Sequence, residues 1–368
     1  MDSLRDGGAE KILVDILNQF PKNEFDVELK LIRLQGPHLE RINPDIRLSY
    51  IRKDKKGLYA KFIDRIIGHL NANLLYRIFI HGKYDIVVAF MEGPSTKIIS
   101  GGTHNIQKIG WVHSDLLRNN WIKYFCKSEK QHRKCYEKLD KIVCVSEGVR
   151  EAFIKRFGFV EKIIVRHNPV DAEDILKKSQ NQFDLDYSDE YINAISAGRF
   201  VEQKAFDKLI HIVEKLQDEG IKIRLYLLGT GIMETELKAY VDLHHISDKI
   251  IFLGFQENPY PYLKAANIYI CSSIAEGYST TVTEAVVLGL PVITTDCAGM
   301  YELLGNNEYG IITDNTEEAL YYGLLNLLSN RDKFDFYKSQ ALARSKQLRN
   351  NNNIDSIISI FRDEPVRK

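Results

Sequence analysis

The regular alternation of short apolar runs with amphipathic segments constrains this fold more than any other feature. Runs rich in β-branched residues predict strands, and apolar residues spaced three or four apart predict helices. The predicted strands are 27–34, 86–90, 142–145, 163–167, 192–197, 223–228, 250–253, 268–271 and 291–294. Helices predicted between them include 10–20, 58–79, 149–156, 206–219, 234–243, 281–288 and 317–328. Strands that alternate with helices favour α/β domains whose parallel sheets are covered on both faces.

A chain of 368 residues exceeds one such domain and fits a pair of Rossmann-like domains. The predicted boundary lies at 168–171, where Pro169 ends a strand, and the alternation resumes at Tyr191. The charge changes sign at the same place: residues 1–170 hold 30 basic and 20 acidic side chains, and the remainder holds 20 and 30. Two independent patterns therefore give the same boundary.

The composition excludes several classes of protein. With 44% apolar and 27% charged residues, the chain is typical of a globular protein. No apolar run approaches the ~18–20 residues of a membrane span, and the first residues do not resemble a secretory signal, so we expect a cytoplasmic protein. The five cysteines form no C-x-x-C pair and are expected to be reduced. No zinc-finger, basic-zipper or RNP-type pattern suggests nucleic acid as a partner.

The sharpest chemical pattern is a pair of glutamates eight residues apart, Glu276 and Glu284. They bracket a loop after the predicted strand 268–271 and the beginning of the predicted helix 281–288. Ligands of parallel sheets bind at the carboxyl ends of the strands, and the amides at a helix start favour phosphate. We therefore expect a phosphate near this helix start and sugar hydroxyls at the two carboxylates.

Two cations and a histidine also follow strand-like segments. Arg199 comes directly after the predicted strand 192–197, and Lys204 stands at the start of the next helix. Together they would clamp a diphosphate, although a surface charge pair explains them equally well in isolation. His113 follows a strand-like stretch at 109–112, where a packed histidine is the simpler interpretation.

Two glycine motifs are less specific. Gly7 and Gly8 open the first helix, where the backbone can approach an anion closely, but a plain turn explains them too. The sequence Gly229-Thr230-Gly231 lacks the third glycine of a dinucleotide-binding motif, because Glu234 occupies that place.

Taken together, these motifs resemble those of the retaining, nucleotide-sugar-dependent glycosyltransferases of family four. The E-x7-E pattern is the most specific match, and four further motifs keep the family's order, so the resemblance spans nearly the whole chain. The four are Gly7-Gly8-Ala9-Glu10, His113, Gly198-Arg199-Phe200 with Lys204, and Thr295-Asp296-Cys297-Ala298-Gly299 with Glu302.

The resemblance implies a GT-B fold, in which two Rossmann-like, doubly wound domains face a central cleft. Residues 1–168 would form the acceptor domain and 169–349 the nucleotide-sugar domain. Residues 350–368 would cross back, so that 354–361 pack on the first domain.

The resemblance also implies a role for each candidate residue. Arg199 and Lys204 would hold the donor diphosphate, Glu284 the ribose and Glu276 the donor sugar, while His113 would contact the sugar near the reacting carbon. His113, Glu276, Arg199 and Lys204 form the expected catalytic group. The other expected donor contacts are Gly7, Gly8, Gly277, Tyr278, Ser279, Thr280, Thr281 and Val282, with Gly229 and Phe255 as candidates for the nucleobase.

The family transfers its sugar with retention at the anomeric carbon. No carboxylate is convincingly placed as a covalent nucleophile, so the expected reaction is a front-face attack beside the leaving diphosphate. The two cations and the helix amides would stabilise the charge of that leaving group. We therefore expect neither a metal ion nor another cofactor.

One departure from the family concerns the first strand. The family usually begins with a short apolar strand before the Asp-Ser-Leu-Arg-x-Gly-Gly segment, which here starts at Asp2. The first strand is central in a Rossmann order, so its loss would leave both neighbours unpaired. The expectation is that the native start lies upstream of Met1, or that the recorded chain is truncated.

The implied function is transfer of a hexose or N-acetylhexosamine from a nucleotide sugar to a lipid-linked or saccharide acceptor, with a UDP-linked donor as the default. The reaction would belong to the biosynthesis of a surface polysaccharide such as capsule or lipopolysaccharide. The 19 basic and 8 acidic residues of 47–141 predict a peripheral contact with anionic lipid on the inner face of the plasma membrane. An amphipathic helix packed on its own sheet explains 58–79 equally well. The residues expected at the lipid are Lys53, Lys55, Lys56, Lys61, Arg65, Trp121, Ile122, Tyr124 and Phe125.

Two alternatives remain open at the level of sequence. One is a GT-B sugar-nucleotide epimerase, which would use no acceptor. The other is a non-catalytic subunit that binds nucleotide sugars, although its expected loss of motif residues is not seen here.

Overall fold

The computed structural model describes residues 1–5, 7–53, 57–119, 126, 128–185, 187–349 and 354–362 of the chain. It divides into two compact units: unit 1 comprises Met1–Pro169 with Asn353–Lys368, and unit 2 comprises Val170–Asn352. The units therefore separate at Pro169, within the stretch where pattern and charge change. Every pair of strands in the described part of the chain is parallel, as the alternation predicts.

The amino-terminal part of unit 1 alternates strands with helices. Its strands are β1 (Glu28–Arg33), β2 (Arg47–Arg52), β3 (Ile86–Ala89), β4 (Gln107–Val112), β5 (Lys141–Cys144) and β6 (Ile163–Val165). Its helices are α1 (Gly8–Asn18), α2 (Leu58–His69), α3 (Ala72–Phe79), α4 (Pro94–Ile99), α5 (Glu129–Glu137) and α6 (Glu147–Phe157).

The sheet of unit 1 is divided into two parts. One part pairs β1 with β2, and the other runs β3-β4-β5-β6, so β1 and β3 are not hydrogen-bonded to each other. Residues Met1–Leu4 run along β1, because the amides of Ile32 and Arg33 donate to the carbonyls of Met1 and Asp2 at 3.1 and 2.7 Å. An apolar groove of about 250 Å³ is lined by both β1 and β3. The two parts of the sheet therefore separate between β1 and β3, which are the neighbours of the central first strand in a Rossmann order.

Unit 2 contains one continuous sheet of six strands in the order β12-β11-β10-β7-β8-β9. Its strands are β7 (Ile192–Ala197), β8 (Ile223–Leu228), β9 (Ile250–Gly254), β10 (Ile268–Cys271), β11 (Val292–Thr295) and β12 (Ile311–Thr313). Its helices are α7 (Ala172–Lys178), α8 (Phe206–Asp218), α9 (Glu234–Leu243), α10 (Tyr260–Ala265), α11 (Thr280–Val287), α12 (Met300–Leu304), α13 (Glu317–Leu328) and α14 (Arg331–Arg349).

The core of unit 2 follows from the sequence periods. In α8 the apolar residues recur at helical spacing, and Leu209, Val213 and Leu216 are fully buried. They form one cluster with buried residues of the strands, including Leu225 and Ile270. Because helices cover the sheet, its inner strands β8, β10 and β11 are buried along most of their length, whereas the edge strands β9 and β12 are partly exposed.

The single helix predicted at 58–79 is wrong, because the chain forms α2 and α3 with a break at Leu70 and Asn71. The side chain of Asn71 accepts a hydrogen bond from the amide of Leu74 at 3.0 Å and so begins a new helix. Apolar residues keep a helical spacing across the break, and this continuity misled the prediction. Strand β2 was also missed, because its ends are charged and one face is exposed, as is common at sheet edges.

A further helix, α15 (Ile354–Arg362), belongs to unit 1. Its Phe361 ring lies 5.3 Å from Phe20 of the α1 side and 6.2 Å from Trp111 of β4, measured between ring centroids. The Arg166 side chain donates to the carbonyl of Ser356 at 3.0 Å. Aromatic packing and hydrogen bonds thus hold α15 on unit 1. In the described part of the chain, no helix has both the length and the apolar character needed to cross a bilayer.

Replacing Ile357 with alanine should lower the free energy of unfolding of unit 1 by about 2–5 kcal/mol. Ile357 is 1% exposed on the inner face of α15, so its truncation leaves a cavity. Urea unfolding followed by tryptophan fluorescence reports on unit 1, because Trp111 and Trp121 both lie in its range. Leu58→Ala is the control, because Leu58 is 88% exposed and its loss should change the midpoint little. Equal effects of the two substitutions would contradict a packing role for α15.

Candidate functional site

The order of strands in unit 2 brings two functional loops together. Because β7 and β10 are neighbours, the loops that follow them leave the same edge of the sheet side by side. The loop after β7 carries Arg199 and Lys204, and the loop after β10 carries Glu276. This reversal of strand order is where open parallel sheets bind their ligands.

A half-buried ion pair joins these loops. Lys204 Nζ lies 2.6 Å from Glu276 Oε1, and the Ser273 hydroxyl donates to the same oxygen at 2.6 Å. The two charged side chains are 19% and 10% exposed. Burial alone would lower the pKa of Lys204, but the neighbouring Glu276 carboxylate outweighs it and raises the pKa above its ordinary value. Both contacts use Oε1, and no donor among the described residues bonds Oε2.

Arg199 supplies a positive charge beside this pair. Its side chain is exposed, and among the described residues its guanidinium has no hydrogen-bond or ion-pair partner. The positive charge of Arg199 acts to lower the pKa of Lys204, so the two cations influence each other electrostatically. One cation is therefore neutralised by Glu276 and the other is available to an anion, for which guanidinium geometry suits phosphate.

The loop after β10 leads directly into α11. Ser279 caps this helix, because its hydroxyl accepts a hydrogen bond from the amide of Val282 at 3.4 Å. Glu284 lies in α11, where its carboxylate is buried and accepts from the Tyr260 hydroxyl at 3.3 Å. The two glutamates of the E-x7-E pattern therefore occupy a loop and the helix after it, as predicted. Gly277, Tyr278, Thr280 and Thr281 lie between them.

Two glycines allow neighbouring loops to approach closely. Gly299 has φ +80°, and a Cβ there would lie 2.5 Å from the carbonyl oxygen of Gly277. Gly229 has φ +133°, and a Cβ there would lie 2.0 Å from the carbonyl oxygen of Gly198. The Gly229 amide also donates to the carbonyl of Gly254 at 2.8 Å, directly before Phe255. The two nucleobase candidates, Gly229 and Phe255, thus lie at neighbouring strand ends.

In unit 1, His113 follows β4 at the carboxyl edge of the four-stranded part. Its ring packs on Phe90 with 4.9 Å between centroids and hydrogen-bonds the Phe90 carbonyl. Burial lowers the pKa of His113 to about 4, so the ring is neutral at pH 7. Nε2 is buried and has no hydrogen-bond partner among the described residues. A neutral ring that donates through Nδ1 presents a lone pair at Nε2, which suits a ligand hydroxyl.

The sequence interpretation missed Glu92, which holds the His113 backbone. Glu92 Oε2 accepts the amide hydrogen of His113 at 2.9 Å, and Ser114 also donates to this carboxylate. Burial raises the pKa of Glu92 above its ordinary value, although these donors oppose the shift. Its place directly after the predicted strand 86–90 was the available signal.

The start of α1, where Gly7 and Gly8 lie, is not an open site for an anion. Gly7 stands at the N-cap of α1, and a Cβ there would meet a carboxylate oxygen of Glu10 at 2.1 Å. Glu10 is itself buried in the first turn. A carboxylate of the protein therefore lies at this helix start. A donor contact at Gly7 and Gly8 stays a prediction.

Cysteines occur in both units. All five cysteines are buried free thiols, as expected, and Cys126 contacts Cys135. Among the described residues, no three His, Cys, Asp or Glu side chains are grouped as metal ligands.

Family models match both halves of the chain. The model described as Glycosyltransferase Family 4 matches residues 6–174, and the model described as Glycosyl transferases group 1 matches residues 177–351. The border between them, at 174–177, lies a few residues beyond the border between the two units at 169–170.

Two curated relatives of known process match along most of their length. The chain is 29% identical, over 94% of its length and 93% of the relative, to N-acetylgalactosamine-N,N'-diacetylbacillosaminyl-diphospho-undecaprenol 4-alpha-N-acetylgalactosaminyltransferase of Campylobacter jejuni. It is 27% identical to the lipopolysaccharide core biosynthesis glycosyltransferase LpsE of Rhizobium meliloti, over 84% of the chain and 82% of LpsE. Among solved structures, Anabaena HepE in complex with UDP and glucose matches with a TM-score of 0.73 at 17% identity, over 99% of the chain and 98% of HepE.

The environment of His113 predicts a pH dependence of unit 1. The pKa of His113 is about 4 in the folded protein and ~6.5 in an unfolded chain, so between these values the unfolded state binds the extra proton. Stability therefore falls as the pH decreases from 7 to 5. His113→Asn should remove about 2 kcal/mol of that loss.

Urea unfolding at pH 7 and pH 5, followed by tryptophan fluorescence, measures this difference. His81→Asn is the control, because the His81 side chain is exposed in the same unit. If the His113 variant lost as much stability on acidification as the wild type, the ring would not be held neutral.

Proposed function

The chain belongs to the glycosyltransferases of the GT-B fold that join a family-four domain to a group 1 domain, and on this premise we propose that it transfers a hexose or N-acetylhexosamine from a UDP-linked donor with retention. The observation that carries the proposal is the pairing of Lys204 with Glu276 and the nearby Arg199, which has no partner among the described residues. This arrangement offers the charge of Arg199 to a diphosphate and an oriented carboxylate to a sugar. UDP is the nucleotide in the HepE complex, and its use here is part of the proposal.

The diphosphate is assigned to Arg199, Lys204 and the first amides of α11. When the bond between the sugar and the phosphate breaks, negative charge develops on the leaving diphosphate. Arg199 and Lys204 already stand at the strand ends, so little reorganisation is needed as that charge forms. Because these groups supply positive charge, we propose that transfer requires no metal ion.

The two glutamates divide the rest of the donor. Glu284 lies within α11 and is assigned to the ribose, whereas Glu276 lies before the helix and is assigned to the sugar hydroxyls. Lys204 and Ser273 both donate to Oε1 of Glu276, which orients the carboxylate and leaves Oε2 for a hydroxyl. This pairing argues for hydrogen bonding rather than covalent attack by Glu276, and so for a front-face reaction.

His113 is assigned to bind a sugar hydroxyl through Nε2. Its buried lone pair lacks a protein donor among the described residues, and a ligand hydroxyl would satisfy it. Glu92 fixes the backbone that carries the ring.

We propose a lipid-linked saccharide as the acceptor, in the biosynthesis of a bacterial surface polysaccharide. The names of the Campylobacter and Rhizobium relatives refer to an undecaprenol-diphosphate acceptor and to lipopolysaccharide core, respectively. Such an acceptor requires access to a membrane surface. Unit 1 has a candidate surface for such a contact on α2. Leu58, Tyr59 and Phe62 of this helix are exposed apolar residues, and the basic residues Lys61 and Arg65 are also exposed.

The structure describes only some of the residues predicted to contact lipid. Lys55, Lys56, Trp121, Ile122, Tyr124 and Phe125 lie outside the described residues. The proposed membrane surface therefore rests on α2 together with Lys53, which lies just before it.

The transfer reaction predicts that UDP is released when a UDP-sugar and a lipid-linked saccharide are both present. Arg199→Gln and Lys204→Gln should each lower kcat/KM about 10²–10³-fold, because each removes a cation from the leaving diphosphate. EDTA should leave the rate unchanged. Arg331→Gln, at an exposed position of unit 2, is the charge-matched control and should retain full activity.

The outcomes of this assay separate the alternatives. Conversion of the donor without acceptor would indicate an epimerase, and donor binding without any turnover would indicate a non-catalytic subunit. Full activity of both cation variants would refute the diphosphate assignment.

The membrane proposal predicts weak, salt-sensitive binding to anionic vesicles. Lys53→Glu combined with Lys61→Glu should reduce binding, because each basic residue near such a surface contributes about 1 kcal/mol. Transfer to a short soluble acceptor should survive. Co-sedimentation at low and high salt measures binding, with Lys238→Glu of unit 2 as the control. Binding that ignored both salt and the reversals would disprove the electrostatic contact.

A further inference from the structure

The loop that carries Glu276, residues 272–276, is fixed on two sides within unit 2. On the side of β7, the amide of Ile274 donates to the carbonyl of Gln203 at 2.8 Å. The side chain of Gln203 donates in turn to the carbonyl of Ala275 at 2.7 Å. These bonds tie the loop to the segment that ends in Lys204. The opposite side is held from β12.

Asn315, two residues beyond β12, reaches this loop with its side-chain amide. Nδ2 lies 2.9 Å from the carbonyl oxygen of Ile274 and 3.3 Å from that of Ser273. The same nitrogen lies 3.0 Å from the carbonyl oxygen of Asp296, in the loop after β11. A primary amide has two hydrogens, so one side chain can bridge the two loops.

Ser273 connects this bridge to the charged pair. Its carbonyl also accepts from the Thr295 hydroxyl at 2.5 Å and from Cys297 Sγ at 3.1 Å. Its hydroxyl donates to Glu276 Oε1 at 2.6 Å. A backbone fixed by these donors therefore fixes the position from which Ser273 holds the carboxylate.

We propose that Asn315 is a positioning residue for Glu276, an inference that rests on the proposed transfer reaction. Its amide keeps the loops after β10 and β11 in one arrangement, so that Glu276 stays on Lys204 and Ser273 while its other oxygen binds the donor sugar. Asn315 itself is not assigned a contact with substrate. Its loss displaces the carboxylate assigned to the sugar, whereas Arg199 and Glu284, which Asn315 does not contact, keep their positions at the diphosphate and the ribose.

Asn315→Ala tests this inference through the separation of kcat from nucleotide affinity. Because small displacements of reacting groups are costly, kcat for transfer should fall about 10- to 100-fold. The Kd for UDP, measured by calorimetry, should stay within about twofold, since Arg199 and Glu284 keep their positions. Asn315→Ser retains one donor and should recover part of kcat. Asn326→Ala, on the exposed face of α13, is the matched control and should behave as the wild type.

A double-mutant cycle shows whether Asn315 acts through Glu276. In the Glu276→Gln background, Asn315→Ala should lower kcat by less than about twofold, because the residue it positions is already impaired. Independent, multiplicative losses would overturn the inference, and so would a loss of UDP affinity that parallels the loss of kcat. Wild-type turnover in the same assay tests the transferase proposal by itself, so the two failures are distinguishable.

Discussion

The order of strands in unit 2 is the constraint on which the candidate site depends. The sheet grows from β7 towards β9 in one direction and from β10 towards β12 in the other, so the chain must reverse between β9 and β10. At this reversal, the helices after β7 and β10 cover opposite faces of the sheet, so the loops that lead into them leave a crevice at the strand ends. Residues more than seventy positions apart, Lys204 and Glu276, meet there at 2.6 Å. The charge pair is therefore a product of the topology rather than of local sequence.

The energetics of this meeting point favour a ligand. Burying a lysine or a glutamate alone is costly, and pairing them offsets that cost without leaving excess charge. Arg199 adds a charge that no protein group among those described neutralises, at the edge where water can still reach it. A site with one satisfied pair and one unsatisfied cation has a net attraction for an anion. The fold can carry this charge because Arg199 remains exposed.

The sequence predicted secondary structure best in segments where one hydrophobic period, that of a strand or that of a helix, dominates. The bounds of β7, β8 and β10 were predicted to the residue, because each is a short apolar run buried on both faces. The E-x7-E pattern predicted a loop followed by a helix, because its polar residues are followed directly by an apolar run. The break between α2 and α3 was missed because Asn71 caps a helix without disturbing the apolar spacing. Ser273, Asn315 and Glu92 were missed because their importance comes from partners distant in sequence. A single chain without its contacts does not reveal such partners.

The divided sheet of unit 1 has a consequence for how the molecule behaves at high concentration. Strand edges with open amides and carbonyls pair readily with other extended chains, and most proteins cover or charge them. Here β1 is bordered by β2 and by Met1–Leu4, whereas β3 is an edge strand among the described residues, and the groove beside it has apolar walls that include Leu29, Val87 and Trp111. Self-association of this molecule should therefore begin at unit 1, by strand pairing rather than by loss of the unit 2 core. Solubility and the integrity of unit 2 would then respond to different substitutions.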